Sequence, residues 1–122
     1  MTLFRAIPIH VHAALEMVAA PVLLVAPFVF GFGALAGALS IALGVLLTGL
    51  AVSIYGGTGG YGSLPLTAHA GFDYILAAVT LTLGALIGVA TNDFAATVFM
   101  VGFGSAHLAL TASTRYTRPL GA

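Results

Sequence analysis

Two stretches of the chain each set an imidazole four residues before a carboxylate: His12 and Glu16 in IPIHVHAALEM, His69 and Asp73 in LPLTAHAGFDY. On an α-helix this spacing stacks the two groups one turn apart on a single face. Imidazole nitrogen and carboxylate oxygen together are good ligands for Zn²⁺, Fe²⁺ or Mn²⁺. The same groups can relay protons, because imidazole titrates near neutrality. They can also do nothing beyond fixing helix register through a polar contact. One His-x-x-x-acid motif says little. Its duplication, with a third histidine at His107, makes a metal the first candidate, with His12, Glu16, His69, Asp73 and His107 offering three to five ligands. Haem held between His12 and His69 is a variant of that reading.

The two stretches match beyond their polar residues. Pro8 aligns with Pro65, Ala13 with Ala70, Ile7 with Leu64, Ile9 with Leu66 and Leu15 with Phe72. The correspondence marks an internal repeat and continues with Pro27 over Gly84 and Gly31 over Gly88. With one residue inserted, GLAVS (49–53) lies over HLALT (107–111).

These polar residues stand in an almost uncharged chain. Hydrophobic residues make up 61% of it and charged residues 5%, against about 25% charged in soluble domains. Too few solvated side chains exist to cover a globule in water, so a lipid bilayer is the expected solvent. There is no Lys; the cations are Arg5, Arg115 and Arg118, and the acids Glu16, Asp73 and Asp93. No basic patch is present to neutralise phosphates, so nucleic acid is not expected as a partner. The absence of Cys excludes disulfides and thiolate metal sites.

A bilayer-spanning helix needs about 20 mostly apolar residues, and four segments supply them: about Pro8–Phe32, Ala34–Tyr55, Pro65–Ala90 and Asp93–Thr114. The first is too long for a secretory h-region and is expected to be part of the fold. Pro8 suits a first helical turn, whereas Pro21 and Pro27 lie deeper and are expected to kink the helix. GFGA makes a tight turn between spans one and two, and GGTGGYGS (56–63) a Gly-rich loop between spans two and three. In TND, Thr91 or Asn92 is expected to cap the fourth helix, with Asp93 in its first turn. The fold class is therefore all-α: a single transmembrane four-helix bundle of two tandem hairpins, about 7–56 and 64–115. A pseudo-twofold axis along the membrane normal relates the parallel repeats. An even number of spans puts both ends on one side, and the arginines there predict a cytoplasmic location for the termini in the cell (inner) membrane.

The stretch LEMVAAPVLLVAPFVFGF, followed by a Gly/Ala-rich second helix, resembles the SPW-repeat membrane proteins, small bacterial proteins with a hairpin unit often present twice. Ala26-Pro27-Phe28 and then Gly31-Phe32 carry the likeness; the Trp of that motif is absent, and Gly84 replaces the proline in the second copy. The resemblance implies two tandem helical hairpins and no particular activity.

At a rise of about 1.5 Å per residue, His12 and His69 lie about 6 Å beyond their prolines, Glu16 and Asp73 about 12 Å, and His107 about 10 Å from Thr114. All five then share one layer toward the cytoplasmic side, while His10 faces the headgroups. An unpartnered charge in that layer costs roughly 2.5–3.5 kcal/mol on insertion scales, so the five are expected to form one buried cluster. Polar stepping stones beyond it are sparse (Ser40, Thr80, Thr82, Thr97), which weighs against a proton or substrate path. No nucleophile–base motif suggests an enzyme. A non-catalytic accessory or structural subunit is the alternative to a metal protein. The repeated small residues of GALAGALSIALG in span two suggest close helix contact, within the bundle or in a homo-oligomer or larger membrane complex.

Overall fold

The computed structural model of the protein describes residues 5–55 and 64–117. The expected Gly-rich loop 56–63 and the tail from Arg118 lie outside the described residues. Where apolar side chains face lipid, the backbone must satisfy its own hydrogen bonds, and a helix does so within one segment. The four apolar runs accordingly form α1 (Ile9–Phe30), α2 (Ala34–Tyr55), α3 (Leu66–Thr91) and α4 (Phe94–Ala112). All four are long and apolar enough to cross a membrane. Large apolar side chains point outward around the bundle, Val89 at 85% and Phe94 at 79% exposure among them, a surface suited to lipid rather than water.

α1 pairs along its length with α2, and α3 with α4, with further contacts from α1 to α4 and from α2 to α3. Close approach depends on small residues. A Cβ on Gly84 would meet the Val101 backbone N at 3.1 Å, and one on Gly104 the Leu81 backbone N at 3.0 Å. In the first hairpin, a Cβ on Gly44 would meet Leu24 and Leu23, and one on Gly37 would touch Pro27. That part of the small-residue pattern of α2 therefore serves contact with α1. The apolar core joins Ala20, Leu23, Leu43, Leu47, Ile87 and Met100.

Helix ends follow from local chemistry. Gly31 adopts a left-handed conformation (φ 66°), and its N–H and that of Phe32 donate to the Pro27 carbonyl, the usual role of Gly after a helix. α1 runs through Pro21 and Pro27 as one helix. Asn92 ends α3 in the left-handed region (φ 56°), which Asn tolerates. With Asn92 so occupied, the cap of α4 is Asp93, correcting the expectation of Thr91 or Asn92: its carboxylate accepts from Ala96 N–H at 3.3 Å. The other oxygen accepts from Gly33 N–H at 2.7 Å, tying the two hairpin turns together.

The opposite face holds a feature absent from the expectations. Pro8 does not begin a helix; it is the N-cap, extended at φ −66° and ψ 153°. The fourth helix stops at Ala112 rather than Thr114. Ile7–Pro8 (β1) and Thr114–Arg115 (β2) form a short parallel pair, with Ile7 N–H donating to Ser113 C=O at 3.0 Å. Proline has no N–H for the ladder and pushes its predecessor into extended backbone, so such an edge suits it. Pro65 likewise precedes α3 as its N-cap.

Candidate metal centre

His12 and Glu16 lie on the buried face of α1, His69 and Asp73 on that of α3, and His107 on that of α4. His12 and His69 occupy the same place in their helices, in the first turn, which is the structural counterpart of the matching sequence stretches. All five predicted site residues meet in one layer. The first four have side chains no more than 1% exposed, and His107 is at 5%.

Each imidazole turns its Nε2 toward both acids. From His12 the distances are 3.0 Å to Glu16 Oε1 and 2.9 Å to Asp73 Oδ2. From His69 they are 3.3 Å to Glu16 Oε2 and 3.2 Å to Asp73 Oδ2. From His107 they are 3.3 Å to Glu16 Oε1 and 3.5 Å to Asp73 Oδ1. Closeness does not bring satisfaction, however. His12 Nε2, His69 Nε2, Glu16 Oε2 and Asp73 Oδ1 are buried and make no hydrogen bond. Buried polar atoms are rarely left so. The four residues each contribute one such atom, and they are the four whose ligand atoms all lie within 4.8 Å of one another.

The remaining atoms of the cluster are held from outside. Glu16 Oε1 is hydrogen-bonded to His107 Nε2 at 3.3 Å, and Asp73 Oδ2 accepts from the Tyr116 hydroxyl at 2.7 Å. The Thr114 hydroxyl donates to the Leu110 carbonyl, so toward His12 Nδ1, 2.7 Å away, it can only accept. The Ser53 hydroxyl likewise donates to Leu50 C=O and faces His69 Nδ1 at 3.3 Å. Both imidazoles therefore carry a proton on Nδ1, and in the neutral form each aims the lone pair of Nε2 at the centre. A ring N–H anchored in this way fixes tautomer and ring direction, the usual outer support of a histidine ligand. The supports are exchanged between hairpins: the histidine of the first is oriented from the end of the second, and that of the second from the end of the first.

Distances agree with coordination. Around an ion bound at about 2.1 Å, neighbouring ligand atoms stand about 3.4 Å apart in a tetrahedron and about 3.0 Å apart in an octahedron. The closest histidine–carboxylate N–O separations, 2.9–3.5 Å, fall at those edges, and the four-residue ligand set as a whole lies within 4.8 Å, which an ion would draw together. Two carboxylates also match the charge of one divalent ion, leaving the buried layer neutral. A haem has no room: the His12 and His69 rings are 5.7 Å apart edge to face and share the same carboxylates, so no macrocycle plane fits between them.

Three contributors were not foreseen. Tyr116, just beyond the end of the fourth apolar span, lies across the centre with its ring 5.3 Å from that of His12 and 6.1 Å from that of His69. Burial, and then the hydrogen bond to Asp73, push its phenol well above the ordinary tyrosine range. Thr114 and Ser53 carried a usable signal, since each is a hydroxyl near the end of a helix at the depth of the histidines. His10 is exposed, as expected. Below the centre the stepping-stone hydroxyls are engaged with backbone: Ser40 with Leu23, Thr80 with Leu76, Thr82 with Ala78 and Thr97 with Asp93. The buried Leu23, Leu47 and Met100 fill the space between them.

Fold and centre together define a membrane-type four-helix bundle with a buried two-histidine, two-carboxylate cluster. The chain matches no protein-family model, no curated protein and no solved structure.

Proposed function

We propose that the protein binds one divalent transition-metal ion, Zn²⁺, Fe²⁺ or Mn²⁺, through His12, Glu16, His69 and Asp73. His107 serves as a further ligand or as the group that holds Glu16. The observation that carries this reading is the set of four unpartnered buried atoms, one on each of the four residues. A lock built of neutral imidazoles would leave those atoms unsatisfied in a medium where each costs free energy; a cation satisfies all four at once. Binding rather than transport is favoured, because the hydroxyls below the centre already have backbone partners and the core there is apolar. Arg5 and Arg115 lie on the face nearest the centre, and on the positive-inside rule that face is cytoplasmic. The outward side of α2, where Ala38, Ala42 and Val45 are exposed, suits contact with a second copy or a larger membrane complex.

Elemental analysis of protein purified without chelator tests the central point. About one metal per chain is expected, falling below a tenth in the His12→Ala/His69→Ala variant. Metal-free wild type that takes up none on incubation with Zn²⁺, Fe²⁺ or Mn²⁺ would leave only the lock.

A further inference from the structure

The three histidines are not equivalent. His12 and His69 have their Nδ1 atoms supported by Thr114 and Ser53. His107 Nδ1 has no hydrogen-bond partner among the described residues. His107 also differs in lining a cavity, which continues outward between α1 and α4. Its walls are Leu15, Ala19, Leu47 and Phe103, and Glu16 and His107 form its polar end. Leu15 is 46% exposed on the lipid-facing side of α1, so the mouth opens within the apolar belt rather than to water.

The volume is about 270 Å³. A dry cavity of about 150 Å³ takes one benzene ring, so this one takes a single substituted ring and not a larger polycycle. A ligand entering here must partition into lipid, present a ring to apolar walls that include Phe103, and bring a hydroxyl donor to the free imidazole nitrogen. Pockets of this kind, apolar with one or two placed polar groups, are the usual form of a small-molecule site.

We propose that this cavity binds a lipid-soluble, ring-bearing compound of the quinol class, its ring between Leu15 and Phe103 and a ring hydroxyl donating to His107 Nδ1, since the proton of that imidazole lies on Nε2 against Glu16. The substituent tail stays in the bilayer. The proposal deepens the metal reading and rests on it for what lies behind Glu16 and His107, because it sets the ligand beside the metal's own residues. Binding itself involves no redox step.

The test uses full-length protein in nanodiscs with a photoreactive hydroquinone bearing a decyl chain, kept reduced. Mass spectrometry should locate the crosslink within residues 99–110 of α4 or 15–19 of α1. Ala106→Phe, which places a ring in the cavity from its own wall, should reduce labelling at least tenfold while metal content stays at the wild-type value. Excess unlabelled decyl-hydroquinone should compete, and decanol should not. Absence of labelling, equal labelling of the Ala106→Phe variant, or equal competition by decanol would overturn the proposal. Labelling that meets these criteria in a protein found to hold no metal would support the ring site and remove only the metal reading.

Discussion

His12, near the start of the first helix, donates its Nδ1–H to Thr114, two residues past the end of the fourth, across 2.7 Å and 102 positions of sequence. One hydroxyl thereby sets the direction in which a buried imidazole presents its other nitrogen. Thr114 is itself fixed twice, by its hydroxyl bond to Leu110 and by its place opposite Ile7 in the strand pair. Thr114→Val keeps shape and removes the acceptor. Metal affinity should fall about 10–100-fold, the usual effect of losing such an outer support, while Thr114→Ser should stay near wild type. Competition with a chromophoric chelator measures both.

Tyr116 links the centre to alkaline pH. Its phenol is held well above its ordinary value by burial and by Asp73, whereas in the unfolded chain it ionises near pH 10. A raised folded value means that above about pH 10 the native state holds more protons than the unfolded state, so stability falls as pH rises. Below that pH the contribution is fully present. Detergent-solubilised wild type should lose stability from about pH 10 upward, and Tyr116→Phe should show a shallower decline. Denaturation midpoints from neutral pH to pH 11 compare the two; parallel curves would contradict the assignment.

Two glycines of α4, two residues apart, should respond oppositely to a methyl group. A Cβ on Gly102 meets nothing within 4 Å, whereas one on Gly104 meets the Leu81 backbone N at 3.0 Å and the Ala77 carbonyl oxygen at 3.2 Å. Gly102→Ala should be neutral or stabilising by up to about 1 kcal/mol from helix propensity. Gly104→Ala should cost about 1–3 kcal/mol, because backbone cannot turn aside as a side-chain tip can. Unfolding in mixed micelles gives both values.

Asp93 has no part in the centre and serves as a control for it. Asp93→Ala removes the cap of α4 and the bond to Gly33 N–H. It should cost about 1 kcal/mol or somewhat more, with metal content unchanged. A change in metal content would show that the two ends of the bundle are coupled.

Spans and the polar cluster were legible because each stands out from its background. Long apolar runs of membrane length leave little choice of element, and five ionisable groups amid Ala, Leu and Val are conspicuous. The two matching stretches of sequence supplied the depth match of His12 with His69. What stayed hidden depends on tertiary pairing. Thr111 and Thr114 are alike on paper, and only the strand pair with Ile7–Pro8 brings Thr114 against His12. Tyr116 carries no signal of its own until that same pair folds its segment over the cluster. In TND, the choice of cap turned on Asn92 taking the left-handed conformation, which leaves the capping role to the next residue. Pro8 suits a first helical turn in the sequence, and it takes an extended edge instead because β2 is there to pair with it.

The parallel pairing of β1 with β2 also orders events during synthesis. His12 and Glu16 leave the ribosome well before the Thr114 hydroxyl that faces His12, 102 positions later, and before the Tyr116 hydroxyl bonded to Asp73. The first hairpin must therefore wait in the bilayer with an unfinished acid–imidazole pair until the second hairpin arrives. Under the proposed function, a metal would be loaded only after the second hairpin arrives, and two hairpins supplied as separate polypeptides divided within 56–63 should assemble the centre only when both are present.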